Sequence, residues 1–451
     1  MTVLEQMGEW LAAYPQQPIS SAVSERVGSH ILDTVGAWIA GRSTEEGAML
    51  ARLKAAPRTS PSLLSDHPVD RIALACATIR LTEIDDIHML SCTTPSSVVV
   101  PVALYLAATQ TKPIDSRTFT SALLAGYEVM TRFGAAIDGA HLVYKGIWPT
   151  YLCAPVAAAA VAARILHLDA AKTANALGIA LATTSGAPGG PSSPSPRWLL
   201  LGLAARAGCS AALTAAEGYA ADRTLLDGDW LQRTHGIAID TTSLCATVPS
   251  MAAIEELSLK PYCAAKQCIA AIEASRELFA QGISPDDTSA LRISVPSAYA
   301  AMIGHHHARD ARNGRVPRIT SAAYNIALAA YEPDELPNVS RPDRTTNPQI
   351  STFMGKIEVI ADEELSRHYP ARWPARAEIT LLKGKRISST VLDAPGDPSR
   401  PFDTATAQAK FHRYANAQLG EKRATELAGA CLAAPENSDA LAELCAWATT
   451  L

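Results

Sequence analysis

Apolar residues recur three and four positions apart through most of the first 260 residues, the spacing of helices with one buried face. In 21–41, SAVSERVGSHILDTVGAWIAG, the residues Val23, Val27, Ile31, Leu32, Val35, Trp38 and Ile39 keep that period, and Gly41 stops it. TFTSALLAGYEVMTRFGAAI (118–137) predicts a second long helix and the Ala-rich APVAAAAVAARILHL (154–168) a third. Asp169 is placed to cap the next helix, which Gly186 ends. The stretch 187–196, APGGPSSPSP, reads as a loop, and a further helix is expected over 197–218. Alanine at this density lets helices approach closely, which suits an all-helical core.

The pattern changes after about residue 260. ALRISVPSAYAAMIG (290–304) opens with the alternation of a strand, and ARAEITLLKGKRISSTVLD (375–393) reads as two strands joined at Lys383-Gly384-Lys385. Helical patterns at 261–281 and 320–332 lie between them. After residue 400 the chain returns to helix, in FHRYANAQL and SDALAELCAWATTL. The expected fold is mainly α. A large all-helical domain (1–260) is joined by a helical tail (401–451) that docks back on it, and a smaller α/β domain (261–400) is inserted between the two.

Composition supports a large buried interior: 48% of the 451 residues are apolar and only 18% are charged. A net charge of −5 without basic or acidic blocks gives no reason to expect nucleic acid or a membrane surface as a partner. The N-terminus carries acids where a signal peptide needs bases, and the apolar runs 152–165 and 198–215 read as too short or too polar to span a bilayer. Nine cysteines without a CxxC pair read as reduced, buried side chains of a cytoplasmic protein.

Polar residues in apolar surroundings mark the candidate chemistry. LTEIDDIHML (81–90) carries Glu83, Asp85, Asp86 and His88 between two greasy stretches. On a helix, Glu83 would share a face with Asp86, and Asp85 with His88; taken alone, the cluster reads first as an exposed acidic turn with a helix cap. YKGIWPTYLCAP (144–155) sets Lys145, Trp148, Thr150 and Tyr151 before a helix, where free N–H groups attract anions. Arg197 opens a helix after the Pro-rich loop and is able to fork onto a carboxylate. LKPYCAAKQC (259–268) crowds Lys260, Tyr262, Lys266 and Gln267 around a helix start. Three histidines (305–307), arginines at 309, 312, 315 and 318, and Tyr324 follow in 304–331. Adjacent histidines diverge on a helix and no HxxxH or HExxH spacing occurs, which argues against a metal site. Nucleotide loops and the GxSxG elbow are also missing, so the expected chemistry uses no cofactor.

The order of these clusters resembles the MmgE/PrpD superfamily, which includes 2-methylcitrate dehydratase, cis-aconitate decarboxylase and iminodisuccinate epimerase. The resemblance runs through EIDDIH, AGYEVMTRFG (125–134), KGIWPT (145–150), ANALGIALATTSG (174–186), LGLAARAGCSAALTAAEGY (201–219), LLDGDWL (225–231), LKPYCAAKQCIAAIEA (259–274) and KFHRYA (410–415). It implies a helical body with an inserted α/β lid, a homodimer, and an active site in the cleft between domains. It also implies proton removal next to a carboxylate of a small di- or tricarboxylic acid, without cofactor. Two family histidines are replaced: Thr94-Pro95-Ser96 stands where HPG or HPS is usual, and Trp148 where GxHxT is usual. Arg197 stands for a lysine, Ile87 for a threonine, Lys266 for an arginine and Ile269 for a histidine, while Tyr324 matches the lid tyrosine.

Dehydration needs an acid on the leaving oxygen, whereas epimerisation needs only two groups on opposite faces of one carbon. The resemblance with its departures therefore favours an isomerase or epimerase of the iminodisuccinate type, with a dehydratase or decarboxylase as the alternative. An inactive carboxylate binder stands behind these. Asp85, His88, Lys145, Lys266 and Tyr324 are the candidate proton carriers. Asp86, Thr94, Trp148, Thr150, Arg197, Lys260 and Gln267 are the candidate binding residues. In this reading the acids at 83–88 line the floor of a cleft rather than a solvent face, and Lys145, Arg197 and Lys266 grip the substrate carboxylates.

Overall fold

The computed structural model describes residues 1–451 except 16, 56–66, 186–196, 246–251 and 306–314. Gly186, the loop 187–196, His306, His307, Arg309 and Arg312 thus lie outside the described residues. Among those described, helix dominates and strands form two small sheets, as expected for the mainly α class.

Local rules set most helix bounds. Ser20 caps Ser21–Arg42 through the Val23 N–H, and Asp115 caps Ser116–Ala136 through that of Thr118. The third helix begins at Pro149, earlier than its Ala-rich run suggests, because a proline in the first turn has no helical hydrogen bond to lose. It ends at Ile165. Asp169 caps Ala170–Ala182 with a 2.8 Å bond from the Lys172 N–H. The helix expected over 197–218 ends at Ala216, just before Gly218 takes a left-handed φ of +94°.

Small residues bring these helices together. An added Cβ on Gly202 would lie 2.0 Å from the Ala73 carbonyl oxygen, and one on Gly208 2.0 Å from that of Pro155. The Arg197–Ala216 helix is therefore seated backbone to backbone on Pro68–Arg80 and Pro149–Ile165. By length and hydropathy this helix is sufficient to cross a membrane, which corrects the expectation that its run is too short or too polar. Half of its most apolar window is buried inside the protein. All nine cysteines are free thiols, eight of them buried.

In the α/β unit, β3 (Thr288–Val295) pairs parallel with β4 (Ile357–Ala361) and antiparallel with β5 (Ala375–Leu381). β5 turns back into β6 (Arg386–Val391) as expected, with Gly384 at φ +81°. The helices Lys266–Ala280 and Ala322–Tyr331 cover this sheet. Apolar side chains gather in two large clusters, one among the helices and one around the sheet. The tail helices Thr404–Leu419, Glu421–Ala433 and Ser438–Thr450 join the first cluster, and Trp447 meets Trp38 edge-on at 5.4 Å.

The 81–90 stretch departs from the capped acidic turn that its pattern suggests when taken alone, and is buried as a cleft floor requires. It is neither helical nor exposed. Glu83 takes a left-handed φ of +57°, and Ile87–His88 (β1) pairs antiparallel with Leu257–Ser258 (β2). The stretch is a buried, irregular turn between two apolar helices.

Candidate active site

The turn forms the floor of a cleft between the helical body and the α/β unit. The body contributes Arg80, Glu83, Cys92, Thr94, Trp148, Thr150 and Arg197; the connection and the α/β unit contribute Lys260, Lys266, Gln267 and Thr320. The cleft holds about 560 Å³ of empty space, part of it open to solvent.

Charge is packed tightly here. Arg80 Nη1 lies 2.8 Å from Glu83 Oε2 and 3.2 Å from Asp85 Oδ1. Lys260 Nζ lies 3.6 Å from Glu83 and 3.4 Å from Asp85. Burial works to raise the Glu83 pKa, but Arg80 and Lys260 outweigh it and hold Glu83 near about 2. For Asp85 burial wins: its pKa is raised to about 6 against the same two cations, helped by repulsion from Glu83 and Asp86. Two neighbouring acids thus differ by function-sized margins, one fixed as an anion and one poised to exchange a proton near neutrality. Lys266 opens its helix, where a positive charge opposes the dipole, and is ion-paired with buried Asp397.

Arg197 is different. Its guanidinium lies over the Trp148 ring, 4.8 Å from the centroid, and only 3% of the residue is exposed. No carboxylate lies within ion-pairing distance of it among the described residues, and burial lowers its pKa. Among the described residues, Arg80, Lys260, Lys266 and Arg197 are thus ion-paired only with Glu83, Asp85 and Asp397, leaving one positive charge over. That surplus, together with the hydroxyls of Thr94 and Thr150 and the Gln267 amide, suits a small carboxylate ligand.

Seven of the sequence-selected residues line the cleft: Thr94, Trp148, Thr150, Arg197, Lys260, Lys266 and Gln267. Asp85 lies just beneath it, on Arg80 and Lys260. Asp86 is deeper, accepting hydrogen bonds from the N–H and Oγ of Ser96 at 3.0 and 2.5 Å, with His30 Nδ1 3.3 Å away. Asp86 therefore anchors the next helix. His88 is turned from the cleft because successive strand residues face opposite ways and Ile87 takes the cleft side; its ring meets Ser91 and Glu256. Lys145 is exposed at the end of the short turn Val143–Lys145, outside the cleft lining. Tyr324 is wholly buried in the α/β core, where its hydroxyl accepts the Arg344 N–H at 3.3 Å. The expected grip by Lys145, Arg197 and Lys266 is thus redrawn as Arg80, Arg197, Lys260 and Lys266.

Sequence reasoning missed Arg80 and Cys92. Arg80 closes the largely apolar run IALACATIR at the end of the Pro68–Arg80 helix, and an arginine there is a signal that it serves something internal. Cys92 carries no such signal; it lines the cleft with a left-handed φ of +51°, and burial pushes its thiol up to about 12. No histidine lines the cleft among the described residues. His305 comes nearest through Thr320, with Nε2 2.9 Å from the Thr320 hydroxyl.

Fold and site together define a helical body and an α/β unit that enclose a cation-rich cleft. The models of the MmgE/PrpD N-terminal domain and the MmgE/PrpD C-terminal domain match residues 5–234 and 262–434, and the chain belongs to this family. A cis-aconitate decarboxylase-like protein of Aspergillus oryzae is 29% identical over 154 residues, covering 33% of this chain and 32% of the relative. The cis-aconitate decarboxylase of Aspergillus terreus is 27% identical over 234 residues, covering 50% of this chain and 48% of the relative. The chain therefore spans about half or less of the length of the curated relatives it matches.

Proposed function

We propose that this protein is a cofactor-independent enzyme that makes a carbanion next to a carboxylate of a small di- or tricarboxylic acid, as a lyase of the decarboxylase kind. The observation that carries this reading is Arg197: a buried guanidinium stacked on Trp148, facing a cleft, with no carboxylate of its own among the described residues. The names of the relatives support decarboxylation over the other reactions of the family.

In this reading Arg197 and Arg80 hold substrate carboxylates. The bond to a carboxylate breaks, carbon dioxide leaves, and the electron pair stays on carbon, spread into the neighbouring unsaturation. Lys260 delivers a proton to that carbon, and Asp85, 3.4 Å behind it, replaces the proton. Glu83 stays ionised and keeps Arg80 and Lys260 in place.

The second reading is an epimerase, with proton removal and return on opposite faces of one carbon. The lack of a histidine among the described cleft residues favours it, because hydroxide loss and decarboxylation lean on a strong proton donor. In either reading the α/β unit acts as a lid, and the protein works as a homodimer.

Incubation with cis-aconitate in deuterium oxide separates these readings. Released carbon dioxide with one deuterium in the product marks the lyase. Deuterium washed into a panel of dicarboxylates, without loss of mass as carbon dioxide, marks the epimerase. Arg197→Gln is expected to weaken either activity about 10- to 100-fold, the worth of a charge-assisted hydrogen bond. A chain that binds none of these acids and exchanges no proton defeats both.

A further inference from the structure

Next in sequence to two residues that line the cleft, a residue of the α/β unit meets a residue of the helical body. Arg315 immediately precedes Val316, and Trp198 immediately follows Arg197; Val316 and Arg197 both line the cleft. The Arg315 guanidinium lies over the Trp198 ring, 5.4 Å from its centroid. Arg315 Nη1 donates to the Val339 carbonyl at 3.2 Å and stands 4.0 Å from Glu46 Oε2. Its other edge is open: Nε and Nη2 are buried and have no hydrogen-bond partner among the described residues, and neither has the buried Nε1 of Trp198.

Buried donors are seldom left unsatisfied, and three at one contact call for an acceptor. Nε and Nη2 are the parallel pair on one side of a guanidinium, the fork that fits the two oxygens of a carboxylate. The charge of Arg315 reaches the cleft, since it is one of the cations that lower the pKa of Glu83. As the two parts stand, these donors are closed off from water; because Trp198 belongs to the body and Arg315 to the α/β unit, a small movement of one against the other uncovers them.

The geometry points to a second anion subsite at Arg315 and Trp198, beside Arg197, that takes an additional carboxylate of the substrate and ties the α/β unit to the body when filled. This rests on the carboxylate reading of the cleft and extends it to a specificity-determining role for two residues that do not touch the reacting carbon. A ligand with the extra carboxylate gains a fork and an indole N–H, and a ligand without it leaves both unsatisfied.

Titration calorimetry of the full chain with tricarballylate and glutarate tests this, since the two acids share a carbon backbone and differ by one carboxylate. Wild type is expected to bind tricarballylate about 10- to 100-fold more tightly, as a charge-assisted pair is worth. Arg315→Gln should abolish that preference, lowering tricarballylate affinity much more than glutarate affinity. Arg315→Lys, which keeps the charge but not the fork, should retain part of it. Trp198→Phe, which keeps the ring and removes the N–H, should reduce it. Arg197→Gln should weaken both acids alike. A preference that survives Arg315→Gln in a variant with an unchanged melting temperature, or no preference in wild type, overturns the second subsite alone. Failure of both acids to bind overturns the carboxylate reading with it.

Discussion

At the scale of single residues, the floor of the cleft shows how neighbours with the same chemistry are driven apart. Glu83 and Asp85 both touch Arg80 and Lys260, yet Glu83 is held near about 2 and Asp85 is raised to about 6. The sign of each effect on stability follows. The lowered Glu83 contributes stability above its unfolded value, near 4.5, and loses it as the pH falls through about 2. The raised Asp85 contributes stability below its unfolded value, near 3.8, and loses it as the pH rises through about 6. Asp85→Asn, which imitates the protonated acid, is therefore expected to remove a slope of about 1.4 kcal/mol per pH unit between these two values. Urea unfolding at pH 4, 5 and 6 measures it. The same variant should lower turnover about 10²- to 10⁴-fold if Asp85 resupplies Lys260, and unchanged turnover would remove Asp85 from the mechanism. The presence of acids at 83–88 in apolar surroundings was legible in the sequence. Their place away from the solvent face was inferred with it, but their unequal ionisation was not, because it depends on Arg80 from the preceding helix and Lys260 from 175 residues beyond Asp85.

At the scale of elements, the Arg197–Ala216 helix depends on two glycines for its place. Gly202 rests against the Ala73 carbonyl and Gly208 against that of Pro155, each with no room for a methyl group. Backbone atoms on the far side leave nothing flexible to yield. Gly202→Ala is expected to destabilise by about 1–3 kcal/mol as overpacking, in spite of its better helix propensity, and a thermal melt reads the sign directly. Since Arg197 opens this helix, any tilt that relieves the clash also moves the guanidinium away from Trp148, so affinity for carboxylates should fall together with the melting temperature. Periodicity and cap residues placed this helix and its neighbour Pro149–Ile165 to within about a turn, but gave no bounds for its other neighbour, Pro68–Arg80. The bilayer-like hydropathy of its sequence shows where composition misleads: the same apolar residues that would suit lipid are half covered by other helices.

At the scale of the whole molecule, the chain is closed by contacts between its ends and its middle. Lys410, in the tail helix, lies 2.6 Å from Asp33 and donates to the Ile84 carbonyl at 2.8 Å, with both charged side chains almost wholly buried. It thus joins the tail, the Ser21–Arg42 helix and the cleft floor. Burial raises the pKa of Asp33, and Lys410 opposes the rise. Lys410→Met should cost about 3–5 kcal/mol by stranding the carboxylate, and adding Asp33→Asn should recover much of the loss; urea midpoints of the single and double variants test both statements. The sequence by itself determined the mainly helical class, the strands after residue 260 and the hairpin at Gly384, because each follows from a local period, a cap or a turn. It also put Thr94, Trp148, Thr150, Arg197, Lys260, Lys266 and Gln267 among the candidates, all of which line one cleft. Only the tertiary structure decided that His88, Lys145 and Tyr324 stand apart from that cleft, that Lys266 is already paired with Asp397, and that Arg197 has a ring but no carboxylate partner among the described residues. Which way a side chain faces at an irregular turn, and which charge is left without a partner, depend on segments far apart in the chain, and no local pattern carries that information.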